Sequence, residues 1–204
     1  MSALRVYDRR RDETRAAAVL GRAFARDPAV EYMLGTAPPL RRTTWLLRQG
    51  MRASDAEAGG GHISLVGDPI AGVATWIPPG CDPIPSFWRH MRLGGYGVFW
   101  RCPRALPAVL RRDADAEERY RRDLEQPEWV LDLLGVDPAR QGTGLGRRLV
   151  QGGLERADQG GVPVYLQTYR IENVAWYRTL GFEVVSDGSR GDVPRGWGMR
   201  RMPR

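Results

Sequence analysis

The chain has 204 residues and not one lysine; all 31 of its basic residues are arginine. A lysine Schiff base is therefore excluded. A P-loop is excluded too, because its lysine reaches the nucleotide phosphates. Cysteine and histidine are scarce, with two of each. Cys81 and Cys102 lack metal-ligand spacing, and His62 and His90 pair with neither, so no metal is expected. The missing disulfide framework suits a reducing cytoplasm, the expected location. The opening "MSALRVYDRRRDETRAAAVL" is too charged for a signal peptide. No apolar run approaches the roughly 18 residues of a membrane span, so no membrane partner is expected. Runs of five or more basic residues are also absent, despite a net charge of +7. Scattered arginines argue against nucleic acid and suit an anionic ligand such as a nucleotide or CoA.

A hydrophobic fraction of 42% is enough for a true core. One domain spanning residues 1–204 is expected, with a helical insertion around 80–126. "LRVYD" reads as a first strand, and Asp12 to Phe24 as a helix with an apolar stripe. "AVEYML" and "LRRTTWLLRQGMRAS" read as helices. "HISLVG" and "GVATWIPPG" flank the turn signal Asp68-Pro69 and predict a hairpin. The next stretch gathers Trp88, Tyr96, Phe99 and Trp100, then the charged helical run "RRDADAEERYRRDLE". "WVLDLLGV" is an apolar strand interrupted by Asp132. Leu145, Leu149, Val150, Leu154 and Ala157 mark one face of a helix. "VPVYLQTY" is a strand, Asn173 to Leu180 a short helix capped by Asn173, and "FEVV" and "WGMRRM" further strands. The alternation predicts an α/β fold with a mixed, partly parallel sheet of about six to seven strands flanked by helices.

Between the strand and the helix lies "DPARQGTGLGRRL". Its glycines fail the dinucleotide pattern G-x-G-x-x-G, since the third position falls on Arg147. They fit [QR]-x-x-G-x-[GA]: Gln141, Gly142, Thr143, Gly144, Leu145 and Gly146. Such a loop aims successive N–H groups at an anion, and a helix N-terminus adds partial positive charge. A glycine turn that merely packs tightly is the competing reading.

The stretch from Trp129 to Val185 resembles the GNAT superfamily of acyl-CoA-dependent N-acetyltransferases. The residues that carry the likeness are "LLGVDPARQGTGLGRRLV", "VPVYLQT" and "ENVAWYRTLGFEVV". The resemblance implies a sheet splayed at the acetyl-CoA site. It implies pantetheine along Leu134, Gly135 and Val136, and pyrophosphate on Gln141 to Arg147. It also implies a signature of Asn173, Tyr177, Gly181 and Phe182. "AFARDPA", "ATWIPP", "PEWVLDLLGVDP" and the Trp-x-Met of "WGM" are similar to members that acetylate the aminonucleoside puromycin. Gly80 to Gln126 is the weakest part of that likeness. Gln167 departs from it, standing where those members carry a glutamate.

Acetyl transfer to an amine needs a proton acceptor, an oxyanion donor and a partner for the leaving thiolate. Tyr177 is the candidate acid; its ordinary pKa near 10 lies above that of a thiol near 8.5. It sits four residues after Asn173, so both reach one ligand. A core tyrosine is the plainer alternative. Asp132 is the candidate base, because a charge inside an apolar strand is costly unless paired or functional. Period-two alternation would put it on the same side as Val136. An ion pair with a neighbouring arginine competes equally with that role. Asp27, Glu31, Tyr32 and Gln167 are candidate acceptor contacts, and the oxyanion donor is expected from strand backbone near Leu134. The expected partner is a small-molecule amine, with a homodimer left open. Competing readings are a protein N-terminal or lysine acetyltransferase and a non-catalytic CoA-binding module.

Overall fold

A computed structural model of the chain describes residues 4–83, 103–124 and 126–204. The aromatic residues Trp88, Tyr96, Phe99 and Trp100, and with them much of the expected insertion, lie outside the described residues. Seven strands form one sheet: β1 (Leu4–Val6), β2 (Ile63–Val66), β3 (Gly72–Ile77), β4 (Trp129–Val136), β5 (Val164–Thr168), β6 (Glu183–Gly188) and β7 (Gly196–Arg201). Their order is β1-β2-β3-β4-β5-β7-β6. Every neighbouring pair is antiparallel except β4 and β5, which are parallel. That is the mixed sheet the strand–helix alternation predicts.

Helices cover both faces. On one lie α1 (Arg9–Ala23), α2 (Pro28–Leu34) and α3 (Leu40–Glu57), whose Ala17, Leu20, Val30, Leu47 and Met51 bury against Ile63, Leu65 and Val73. Helix α1 starts one turn before the expected Asp12, because the Asp8 carboxylate accepts from the Arg11 N–H and caps it. On the other face lies α5 (Leu145–Gln159), whose expected stripe Leu145, Leu149, Val150, Leu154 and Ala157 is entirely buried. Gly153 makes that close packing feasible: a Cβ there would stand 2.2 Å from the Trp76 ring. The charged run near residue 115 forms α4 (Leu106–Asp123). Helix α6 (Ile171–Arg178) carries Val174 and Tyr177 into the α5-side core.

Two features position the site. The parallel pair β4–β5 is in register only at Trp129↔Val164, Val130↔Tyr165 and Leu131↔Leu166. Beyond Leu131 the strands diverge, while β4 stays paired with β3 up to Val136↔Gly72. The second feature is a bulge. Thr75 and Trp76 are consecutive on β3, yet their partners are Leu133 and Leu131. Asp132 is the extra residue, and a bulge re-aims side chains locally. The strict alternation assumed from sequence therefore breaks. Leu131, Leu134 and Val136 pack on the α5 side, whereas Leu133 and Gly135 face α1 and α3. Asp132 and Val136 do not share a face: Asp132 turns toward α3.

Candidate active site

The glycine loop leads directly from β4 into α5. Asp137 opens it, accepting from the Ala139 N–H at 3.1 Å and pairing with Arg22 at 2.5 Å, which ties the loop to α1. The Arg22 guanidinium holds the Asp137 carboxyl below its ordinary range. Gln141 Nε2 donates to the Val136 carbonyl at 3.2 Å, and Thr143 Oγ1 to the Arg140 carbonyl at 2.6 Å. Gly142 and Gly144 have φ of 74° and 80°, a left-handed conformation that side chains disfavour. Gly144 is the N-cap of α5 and offers no side chain to the first-turn N–H groups. Those donors face out of the helix end, where an anion is favoured. Arg147 donates to Thr179 Oγ1 at 3.0 Å, linking the loop to the residue that ends α6. Leu145 anchors the first turn by burying its side chain in the core.

The gap beyond Leu131 and Leu166 opens into a cavity of about 400 Å³ on the opposite face. Asp132, Leu133 and Leu134 form its floor, and Gln167, Thr168 and Tyr169 its β5 edge. Asn173 and Tyr177 line it from α6. Helices α2, α3 and α4 contribute the remaining walls among the described residues. A volume of this order suits a small-molecule ligand.

The Acetyltransferase (GNAT) family model matches residues 93–182. An uncharacterized N-acetyltransferase of Schizosaccharomyces pombe is 28% identical over 183 residues, covering 84% of this chain and 71% of that protein. The N-alpha-acetyltransferase RimI of Mycobacterium tuberculosis is 41% identical over 58 residues, 28% of this chain and 37% of that protein. Among solved structures, a Corynebacterium glutamicum acetyltransferase superposes with a TM-score of 0.67 at 23% identity, covering 100% of this chain and 97% of the other. The chain is an acetyltransferase, and its residues 93–182 are similar to the GNAT family. It is an acetyl-CoA-dependent enzyme, and its diverging strands, paired glycines and bare helix start fit that co-substrate.

In this acetyltransferase Tyr177 is 7% exposed and packs against Trp176 and Phe182 at ring distances of 4.9 and 5.6 Å. Burial raises its phenol above the ordinary range. It thus keeps its proton at neutral pH. The ring is core, as the plainer alternative expected, and the residue also borders the cavity. Asn173 does not cap its helix. Arg170 is the N-cap, and Asn173 Nδ2 donates to Thr168 Oγ1 at 3.1 Å, joining α6 to the end of β5.

Asp132 has no arginine in ion-pair contact among the described residues. Its Oδ2 accepts from Ser54 Oγ and lies 3.4 Å from Thr75 Oγ1. Burial raises its carboxyl above the ordinary value, opposed by Ser54, by the distant Arg112 charge and by Thr75. Asp27 also lines the cavity, but its Oδ1 caps α2 through the Ala29 N–H at 3.0 Å. Its carboxyl is raised by burial and held back by backbone donors from Ala29 and Val30. Gln167 lines the cavity and donates to the Ala116 carbonyl at 3.2 Å.

Glu31 and Tyr32 fall outside the lining. Glu31 accepts from the Ala37 N–H, and Tyr32 donates to Asp192 at 3.0 Å on the far side of α2. Asp27 reaches the cavity from the N-cap position ahead of α2, whereas Glu31 and Tyr32 lie within the helix and bond to residues outside that lining. Sequence reasoning missed Ser54, Thr75, Arg112 and Tyr120. Ser54 did carry a signal: it follows Leu47 and Met51 at helical spacing, a polar residue on the buried stripe.

Proposed function

We propose that this acetyltransferase transfers an acetyl group to a primary amine of a small molecule, such as an antibiotic or aminonucleoside. The observation that carries the reading is the Asp132 carboxylate on the floor of a small-molecule-sized cavity, where the sheet gap meets it. Asp132 takes a proton from the bound ammonium group. The neutral amine then attacks the thioester carbonyl, forming the N–C bond. Backbone N–H groups near Leu134 stabilise the oxyanion. As the C–S bond breaks, the Tyr177 hydroxyl donates to the departing sulfur, and the second amine proton is lost to solvent. Among the described residues, Asp27, Glu57, Asp113, Glu117 and Asp132 against the single Arg112 make the cavity wall acidic, which favours a cationic acceptor. Helix α4 supplies three of those six charges and forms the acceptor-side wall of the site.

Two further points support a small amine. We read the sequence segments noted above as resembling puromycin N-acetyltransferase. A Drosophila melanogaster polyamine N-acetyltransferase shares the fold, with a TM-score of 0.58 at 16% identity over 99% of this chain. The test is thiol release from acetyl-CoA across a panel of puromycin, polyamines, arylalkylamines and peptides with free N-termini. Turnover of a small amine supports the reading. Turnover of peptides alone would replace it with protein acetylation, and CoA binding without any turnover would leave a non-catalytic module.

A further inference from the structure

We infer that Ser54 and Thr75 are positioning residues that hold Asp132 ionised and aim one of its oxygens into the acceptor cavity. The inference rests on the proposed role of Asp132 and adds residues that neither the motif nor the family pattern marks. Its basis is the bulge. In a regular ladder the Leu133 N–H would bond to a β3 carbonyl. Here it donates to Thr75 Oγ1 at 2.9 Å. That contact fixes the Thr75 hydroxyl, leaving its proton for Asp132 Oδ2 at 3.4 Å. Ser54 approaches the same Oδ2 from α3, and its Oγ also lies 3.1 Å from the Gly50 carbonyl. Both hydroxyl groups belong to buried residues, Thr75 at 0% and Ser54 at 4% exposure. The two contacts converge on one carboxylate oxygen. The other oxygen, Oδ1, accepts from no described side chain and is left for a ligand.

The arrangement answers an electrostatic problem. Burial favours the neutral carboxylic acid, which cannot accept a proton. Hydrogen bonds to the charged form oppose that shift. Other titratable or charged groups around the same cavity, among the described residues, are Arg112, Asp113, Glu117 and Tyr120 on α4, Glu57 on α3, Asp27 before α2, Tyr169 after β5 and Tyr177 on α6. Arg112 is the cation among them, and it reaches Asp132 through space rather than by contact. Ser54 and Thr75 are therefore the direct donors.

The experiment is a carboxyl-carbon NMR titration of the full chain labelled with carbon-13 aspartate, without acceptor, with Asp132→Asn used to assign the resonance. Ser54→Ala should raise the Asp132 midpoint by about one pH unit, the size expected for losing a hydrogen bond to a charged group. Thr75→Val should raise it less, in keeping with the longer contact, and Ser54→Thr should bring it back toward wild type. An unchanged midpoint in a folded Ser54→Ala protein would overturn the inference. Should that variant fail to fold, Thr75→Val carries the same test. These outcomes need no acceptor. They are separate from the failure of Asp132 as base, which would show as undiminished turnover in Asp132→Asn.

Discussion

On the donor side, from Leu131 to Leu145, the groups open to a ligand belong to the main chain: diverging strand backbone, left-handed Gly142 and Gly144, and the first turn of α5. On the acceptor side they are side chains gathered from distant elements. Ser54 comes from α3, Asp27 from the start of α2, Arg112 and Tyr120 from α4, and Asp132 from the bulge in β4. A main-chain site is written locally, because backbone geometry demands glycine at fixed offsets. A side-chain site is assembled by folding, and its residues need no spacing at all.

That contrast can be broken at each point. The largest effect is expected for Asp132→Asn: a fall of about 10²- to 10⁴-fold in kcat/KM for the amine, the usual range for general-base loss. Acetyl-CoA affinity should hold, as a titration of the variant with CoA would check. Tyr177→Phe, at the junction of the two sides, should lower kcat by about 100-fold, the scale of one lost transition-state donor. Undiminished turnover in a folded Tyr177→Phe protein would make the ring's core packing its whole role. Gly144→Val should weaken acetyl-CoA binding about tenfold, since a left-handed position costs a side chain about 1–2 kcal/mol. The amine KM should stay level; a rise there instead would mean that the two sides are not separable. Glu31→Gln should change kcat/KM by less than about twofold, as expected of a surface position away from the chemistry. A larger loss in steady-state assays would return Glu31 to the acceptor site.

The strand, glycine turn and helix from Trp129 to Ala157 were legible because periodicity and glycine spacing are local. "WVLDLLGV" is β4 residue for residue, and the Leu145 to Ala157 stripe is the buried face of α5. Asp132 was legible as an anomaly, a charge in an apolar strand. Its direction was not, because the bulge breaks the period that the sequence suggests. Asn173 looked like a cap by residue type, but the helix begins two residues earlier and frees its amide for Thr168. Glu31 and Tyr32 were drawn in by Asp27, but they bond to Ala37 and Asp192, partners that no local pattern announces. Ser54 met Asp132 across 78 positions, a pairing that no local pattern encodes.

The central claim is that Asp132 is the proton acceptor for an amine bound in the cavity. Its most direct test is the pH dependence of kcat/KM for wild type and Asp132→Asn, with an amine from the panel and saturating acetyl-CoA. Burial raises the Asp132 carboxyl above its ordinary value, so the ionised base is lost as pH falls through that raised value. Wild-type kcat/KM should therefore drop on an acidic limb that starts above the ordinary carboxylate range. In Asp132→Asn the limb should vanish and the remaining rate should be low throughout. A variant that keeps both the limb and the rate would contradict the account.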